Sequence, residues 1–393
     1  MQLRDDVNHR IRALSVYYVT TAVLDEVLAV GLSRAACIYD MKALILRKGE
    51  GIVCPRDDEP GAAYVDCVDG HDNADRAEFM LSYTWGYKIG DIADTLSMFC
   101  EREGTLDVKR TYVWMCWACM NQHRIMQQRE LGDTPPFEEL HETIKENVTN
   151  IGQIIAMMAP WRKPKYLSRV WCDLEMFTAL NLGDEHCKIH IVMPPAEERD
   201  MFGVLSKGGA AFNELWETLA GVRIEDCDAS VEEDKTNILS LVIEEHGGPG
   251  FHALNSAVAK HLQAWAVDTC TECLRQIHQG EDDELAAKAC WGVGGLLRQV
   301  GQTARAGDVL ERGRQLREYN GTMKTEAGAL LLAEIGNIKC AGQEFDAALA
   351  LYEEAQRVRE LTDTVETKEG AILLMNMGVT KKHLKDLDGA LEA

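Results

Sequence analysis

The stretch YLSRVWCDLEM, residues 166–176, sets a carboxylate, Glu175, within four residues of a tryptophan and a cysteine. If the stretch is helical, Trp171 and Glu175 stand four apart and share a face that Ala179 continues one turn on. A carboxylate walled by an indole and small apolar groups loses hydration, so its pKa rises and its hydrogen bonds matter. The other reading is a half-exposed glutamate flanking a core face, the commoner fate of a helical glutamate. What lies on either side of the stretch decides which fold holds it.

Upstream and downstream, short apolar runs alternate with longer amphipathic ones. AEFMLSY (77–83) reads as a strand, IADTLSMFCERE (92–103) as a helix, TYVWMCWACM (111–120) as a buried strand and FEELHETIKENV (137–148) as a helix. IGQIIAMMAP (151–160) and CKIHIVMPP (187–195) read as two more strands around the Glu175 helix. Such alternation predicts βαβ units and a parallel sheet with flanking helices, an α/β domain over 76–205. Ligands gather at the carboxyl ends of the strands in such sheets, here the loops Ser82–Gly86, Met120–Gln122 and Ala159–Pro164. Ahead of this domain, residues 1–75 open with a helical pattern and pass through the Gly/Pro/Asp-rich stretch 48–75, which marks a boundary near Asp75. That stretch lacks the alternating spacing and closing glutamate of a calcium loop.

Beyond 206 the texture is helical, with a break at GGPG (247–250), and a repeat emerges. Gly328 and Gly370 are 42 apart, as are Gly336 and Gly378, Asp346 and Asp388, and Leu349 and Leu391. One step back, Gly294 matches Gly336, Glu311 matches Glu353 and Arg317 matches Arg359. A period near 40 with only helical texture predicts stacked helix hairpins, an all-α solenoid over 285–393 whose small residues mark close helix approach. Residues 206–284 are then a helical connector. The last hairpin, ending within its second helix, is expected to leave an apolar face for further chain or another surface to cover.

Composition narrows the function. The chain of 393 residues is 46% hydrophobic and 27% charged, ordinary globular material with room for two or three domains. Its 41 basic and 64 acidic residues give a net charge of −23, which repels phosphate backbones and anionic membrane surfaces. No nucleic-acid and no membrane partner is expected. The apolar run Ala13–Leu24 is too short to span a bilayer and lacks a cleavage site. Thirteen cysteines without a compact even-numbered framework fit a reducing compartment, the cytoplasm. The pairs Cys116/Cys119 and Cys270/Cys273 lie far apart for a zinc module, and core packing is the expected role of both, with no metal site. His186 and His190 read in the same way as surface and core histidines.

Two family resemblances come from these motifs. FDAALALYEEAQRVRE (345–360) carries the small-residue and Leu-Tyr-x-x-Ala pattern of tetratricopeptide repeats of the 42-residue kind found in kinesin light chains. That resemblance implies a concave surface for a protein or peptide partner. The middle domain resembles the TIR family: FMLSYTWG (79–86) looks like its first strand and loop. Tyr166, Ser168, Trp171, Cys172 and Glu175 match the third-helix pattern Y-x-S-x-x-W-C-x-x-E of plant-type members. The chain departs from that family in its long 121–136 loop and in Thr84-Trp85-Gly86-Tyr87, where arginine and acidic residues are usual.

In TIR domains that hydrolyse NAD the glutamate of this helix is catalytic, so the resemblance makes Glu175 the candidate catalytic residue and NAD the candidate substrate, with no cofactor required. Ser82, Tyr83, Trp85, Gly86, Tyr166 and Trp171 are the candidate NAD-binding residues, the aromatic ones packing on the nicotinamide or ribose and Gly86 letting the backbone approach. Family pockets are commonly completed across neighbouring domains, which implies a homo-oligomer through this domain. The alternative is a scaffold without catalysis. A kinesin-light-chain-like cargo adaptor would want a heptad-rich coiled coil before the repeats, and 206–285 holds no sustained heptads.

Overall fold

The computed structural model describes residues 11–130, 137–205, 217–219, 221–229, 232–246, 250–276 and 283–392. They form two compact units, one of residues 1–199 with 221–260, the other of 200–220 with 261–393. Residues 131–136 of the long loop, 247–249 of the GGPG break, 206–216 of the expected connector and the Cys273 side chain lie outside the described set.

The first unit is built on a six-stranded mixed sheet: β1 (Arg12–Ser15), β2 (Ala74–Arg76), β3 (Phe79–Ser82), β4 (Tyr112–Trp114), β5 (Gln153–Met157) and β6 (Lys188–Val192). The order is β2-β1-β4-β3-β5-β6. The four strands β4-β3-β5-β6 run parallel, as the alternation predicts, and are joined through α/β crossovers. β1 and β2 are antiparallel additions, β1 pairing with both β2 and β4. The sheet is therefore mixed where a parallel one was expected. Residues before Asp75, set apart in the sequence reading, supply β1 to this same sheet and sit in the same unit. TYVWMCWACM is also corrected: only 112–114 is strand, and Cys116–Cys119 makes a helical turn closed by Cys119 N–H to the Met115 carbonyl at 2.8 Å. An apolar run serves either state, and burial of Trp117 edge-on to Tyr64 is met by the turn.

The helices of this unit are α1 (Leu24–Ala29), α2 (Lys42–Gly49), α3 (Ile89–Glu103), α4 (Gln122–Glu130), α5 (Phe137–Ile151), α6 (Val170–Leu182) and α8 (Glu232–His246), while α7 (Pro195–Leu205) and α9 (Gly250–Gln276) pass from one unit into the other. Alternate β3 residues point to opposite faces. Phe79 meets Phe99 of α3 at a ring distance of 5.4 Å, with His190 5.0 Å from Phe99, so this histidine is a core residue. Ser82 points the other way, to α6.

The second unit carries three hairpins: α10 (Asp283–Gln299) with α11 (Thr303–Tyr319), α12 (Glu326–Ala341) with α13 (Phe345–Leu361), and α14 (Lys368–His383) with α15 (Leu387–Glu392). The 42-residue period is written into the backbone. Gly301, Gln343 and Lys385 all take positive φ (77, 62 and 67°), as do Gly321 and Asp363 (66 and 53°). Thr325 and Thr367 cap α12 and α14, each accepting from the glycine N–H three residues on, at 3.2 and 3.1 Å. Ala329, Leu332, Ala348, Tyr352, Ala355, Leu373 and Met377 make one core shared between neighbouring hairpins. On α14, Ile372, Met375 and Val379 stay exposed. No described helix is long and apolar enough to cross a membrane.

Candidate functional site

The sheet order reverses at β3, which lies between β4 and β5: the chain leaves β3 towards β4 and leaves β5 towards β6, in opposite directions. Crevices form at the carboxyl end of such a strand. Its last residue is Ser82, fully buried. Ser82 Oγ is hydrogen-bonded to Glu175 Oε2 and stands 2.8 Å from the Tyr166 hydroxyl. Tyr166, in the 3-10 turn Lys165–Ser168 ahead of α6, donates in turn to the carbonyl of Cys172 at 3.0 Å. Two residues 93 positions apart are thus brought into contact because β3 and α6 pack face to face.

Glu175 is half-buried. Loss of hydration pushes its pKa up to about 7; a hydrogen donated by Ser82 would work against that rise. Among the described residues no cation is bonded to it, and its other oxygen has no protein hydrogen bond. A structural ion pair with an arginine is therefore not what holds it.

The loop after β3 continues the cluster. The Tyr83 hydroxyl and the Trp85 indole N–H reach Cys116 Sγ at 3.3 and 3.1 Å, and Cys172 Sγ–H points at the Tyr83 carbonyl at 3.5 Å. Burial pushes Cys116 up to about 11, so it is a thiol that accepts the indole hydrogen. Tyr87 ties the floor together: its hydroxyl donates to the Met157 carbonyl at 3.0 Å and accepts the N–H groups of Ala159 and Tyr166 at 3.1 and 3.2 Å. From the N-terminal region, Ile38 N–H donates to the Trp85 carbonyl at 3.0 Å, and Tyr39 lies 5.5 Å from the Trp85 ring.

Of the seven candidates, Ser82, Tyr166 and Glu175 form one hydrogen-bonded group, and Tyr83 with Trp85 forms a second around Cys116. Gly86 lies in the loop, but a Cβ there would meet only Thr84 Oγ1 at 3.7 Å and Lys165 Nζ at 3.9 Å, so no close approach demands glycine. Trp171 is engaged elsewhere: its indole donates to Asp234 of α8 at 3.2 Å and its ring lies 5.7 Å from Phe137 of α5. Sharing a helix face with Glu175 does not bring it to Ser82. Cys116 and Tyr87 were missed. Each follows a strand or loop already singled out at the carboxyl edge, which is the signal that could have found them.

Behind α6 sits a second buried carboxyl. Asp173, wholly inside, accepts the Cys227 thiol hydrogen at 2.9 Å, its Oδ1 has no partner, and burial pushes it up to about 8. No group of three or more His, Cys, Asp or Glu side chains suited to a metal ion occurs among the described residues.

No protein-family model and no curated protein sequence matches this chain. Among solved structures, the crystal structure of BtubC (BKLC) from P. vanneervenii aligns with a TM-score of 0.31 and 16% sequence identity, over 49% of this chain and 69% of that one.

Proposed function

We propose that the α/β unit is a TIR-like hydrolase of the nicotinamide–ribose bond of NAD, acting when clustered, and that the repeats recruit or sense a protein partner. The observation that carries this is Glu175 on Ser82 at the carboxyl end of the strand where the sheet order reverses, without a cationic partner. In the reaction the bond from ribose C1′ to the nicotinamide nitrogen breaks and its electron pair leaves with nicotinamide. Positive charge then builds on the ribose, where an anionic Glu175 stabilises it. Water adds to C1′ and gives up a proton, yielding ADP-ribose. A low-dielectric wall makes the carboxylate count for more than it would in water. On the repeats, Arg298, Glu334, Asn337 and Asn376 form a bonded polar row from α10 through α12 to α14 that offers amide and charged groups to a peptide.

The test is nicotinamide release from NAD by concentrated protein with a crowding agent, comparing the parent with Glu175→Ala at equal folded fraction. Release that the substitution abolishes supports the assignment; release that survives it, or none once clustering is demonstrated, overturns it. The scaffold reading draws on one observation: the loop that would receive the nucleotide is hydrogen-bonded by the chain's own residues, Ile38 to Trp85, Ala36 to Ile89 and Arg34 to Gly90.

A further inference from the structure

Behind Glu175 the hydrogens can be counted. The Cys172 carbonyl can only accept, so the phenolic hydrogen of Tyr166 is committed to it, at 3.0 Å. The Tyr166 oxygen, 2.8 Å from Ser82 Oγ, must then receive the serine hydrogen. Ser82 has one hydrogen and a second contact, with Glu175 Oε2. Three contacts need three hydrogens, and the two hydroxyls supply two. Ser82 and Tyr166 are both completely buried, so bulk solvent does not supply the missing hydrogen.

We propose that Glu175 itself carries the third hydrogen in the resting protein, closing a chain from its carboxyl to Ser82, from Ser82 to Tyr166 and from Tyr166 to the Cys172 carbonyl. Ser82 and Tyr166 are then positioning residues that hold the acid form. Resting on the catalytic role proposed for Glu175, this is a restraint: a neutral carboxyl does not stabilise a ribose cation, and the chain must open and the proton leave before the site can work. Opening could come from anything that turns the Ser82 hydroxyl from Tyr166 to the carboxylate.

The other ionisable groups around α6 do not undo the count. On α6 itself Cys172 points to the Tyr83 carbonyl and Asp173 to Cys227. From beyond β4 comes Cys116, held by Tyr83 and Trp85. His141 of α5 stacks on Phe137, Asp234 of α8 takes the Trp171 indole, His190 of β6 lies on the opposite sheet face with Phe79, and Lys165 Nζ would stand 3.9 Å from a Cβ on Gly86.

The experiment is a carboxyl titration of the full chain by infrared or carbon-13 NMR with labelled glutamate, Glu175→Gln identifying the signal. The parent is expected to show a protonated carboxyl just below neutral pH that Glu175→Gln removes. In Tyr166→Phe the serine hydrogen loses its acceptor and turns to the carboxylate, so the midpoint falls by about one unit or more, a tenfold gain in acid dissociation. A midpoint that stays or rises in Tyr166→Phe overturns the chain. So does a parent spectrum without that protonated carboxyl, which decides the matter even if Tyr166→Phe does not fold. None of this needs NAD: absence of nicotinamide release would remove the catalytic role and leave the spectrum to judge the chain.

Discussion

Gly336 stands so close to Tyr352 that a Cβ on the glycine would lie 2.4 Å from the ring. The ring is held, being buried and hydrogen-bonded from its hydroxyl to Asn337 at 2.8 Å. One period earlier Gly294 meets Leu310 at the same 2.4 Å, so close approach of paired helices is a rule of the repeat. Gly336→Ala is expected to lower stability by about 1–3 kcal/mol, because overpacking exceeds the gain of about 1 kcal/mol in helix propensity. Gly295→Ala, whose Cβ would meet only Glu334 Oε1 at 3.8 Å, should raise it by about 0.5–1 kcal/mol. Urea denaturation of the two variants distinguishes them; equal effects would mean the helices can part.

Thr367 serves two groups at once, accepting the Gly370 N–H at 3.1 Å and the guanidinium of the buried Arg359 at 3.2 Å. Thr367→Ala should cost about 1–2 kcal/mol, and Thr367→Ser much less, since it keeps the oxygen. Thermal unfolding of both variants checks this; a serine variant as weak as alanine would assign the loss to the methyl group.

Asp173 makes stability depend on pH. Its folded pKa, about 8, lies above that of an unfolded aspartate, so the folded state holds the proton more tightly. The favourable contribution is complete below the unfolded pKa and is lost as pH rises through the folded one. Asp173→Asn should therefore stabilise the protein at about pH 9 relative to about pH 5, by on the order of 4 kcal/mol. Parallel stability curves for parent and variant would mean that Asp173 stays charged inside.

Glu175→Gln keeps the shape of the side chain and removes its charge. If the carboxylate faces the ribose cation, nicotinamide release should fall by about 100- to 1000-fold with the fold intact. In the parent, release should rise with pH through about 7, the pKa of Glu175, because the charged form is the active one. A flat profile with full activity in the glutamine variant would separate Glu175 from the chemistry.

The inner parallel strands were legible because β3, β4 and β5 bury both faces and so read as apolar runs between turns, FMLS and QIIAM among them, while the edge strand β6 is only half-buried. β1 and β2 were not. RALS and ADR are short and mixed, and only their partners make them strands. The period of the repeat was legible because backbone turns, caps and tight contacts recur at a fixed step and each demands a residue type. At the candidate site, the sequence offered Glu175 and Ser82 as separate motifs. What could not be read was the contact between them, since it depends on how a helix lies across a sheet. Trp171 shows the converse: spacing put it beside Glu175, and packing turned it to Asp234.

The positive φ shared by Gly301, Gln343 and Lys385 makes the length of the second unit a quantised property. Removing residues 302–343 would join Gly301 to Glu344, which stands in the register of Gln302. Gly294 would then face Tyr352, and Arg359 would inherit Glu284, the carboxylate that Arg317 now holds at 3.2 Å. These two contacts would find their homologues, whereas Arg298 would meet Asn376 in place of Glu334. A shorter excision would leave glycines facing the wrong side chains, so this part of the molecule can grow or shrink by whole steps and by nothing in between.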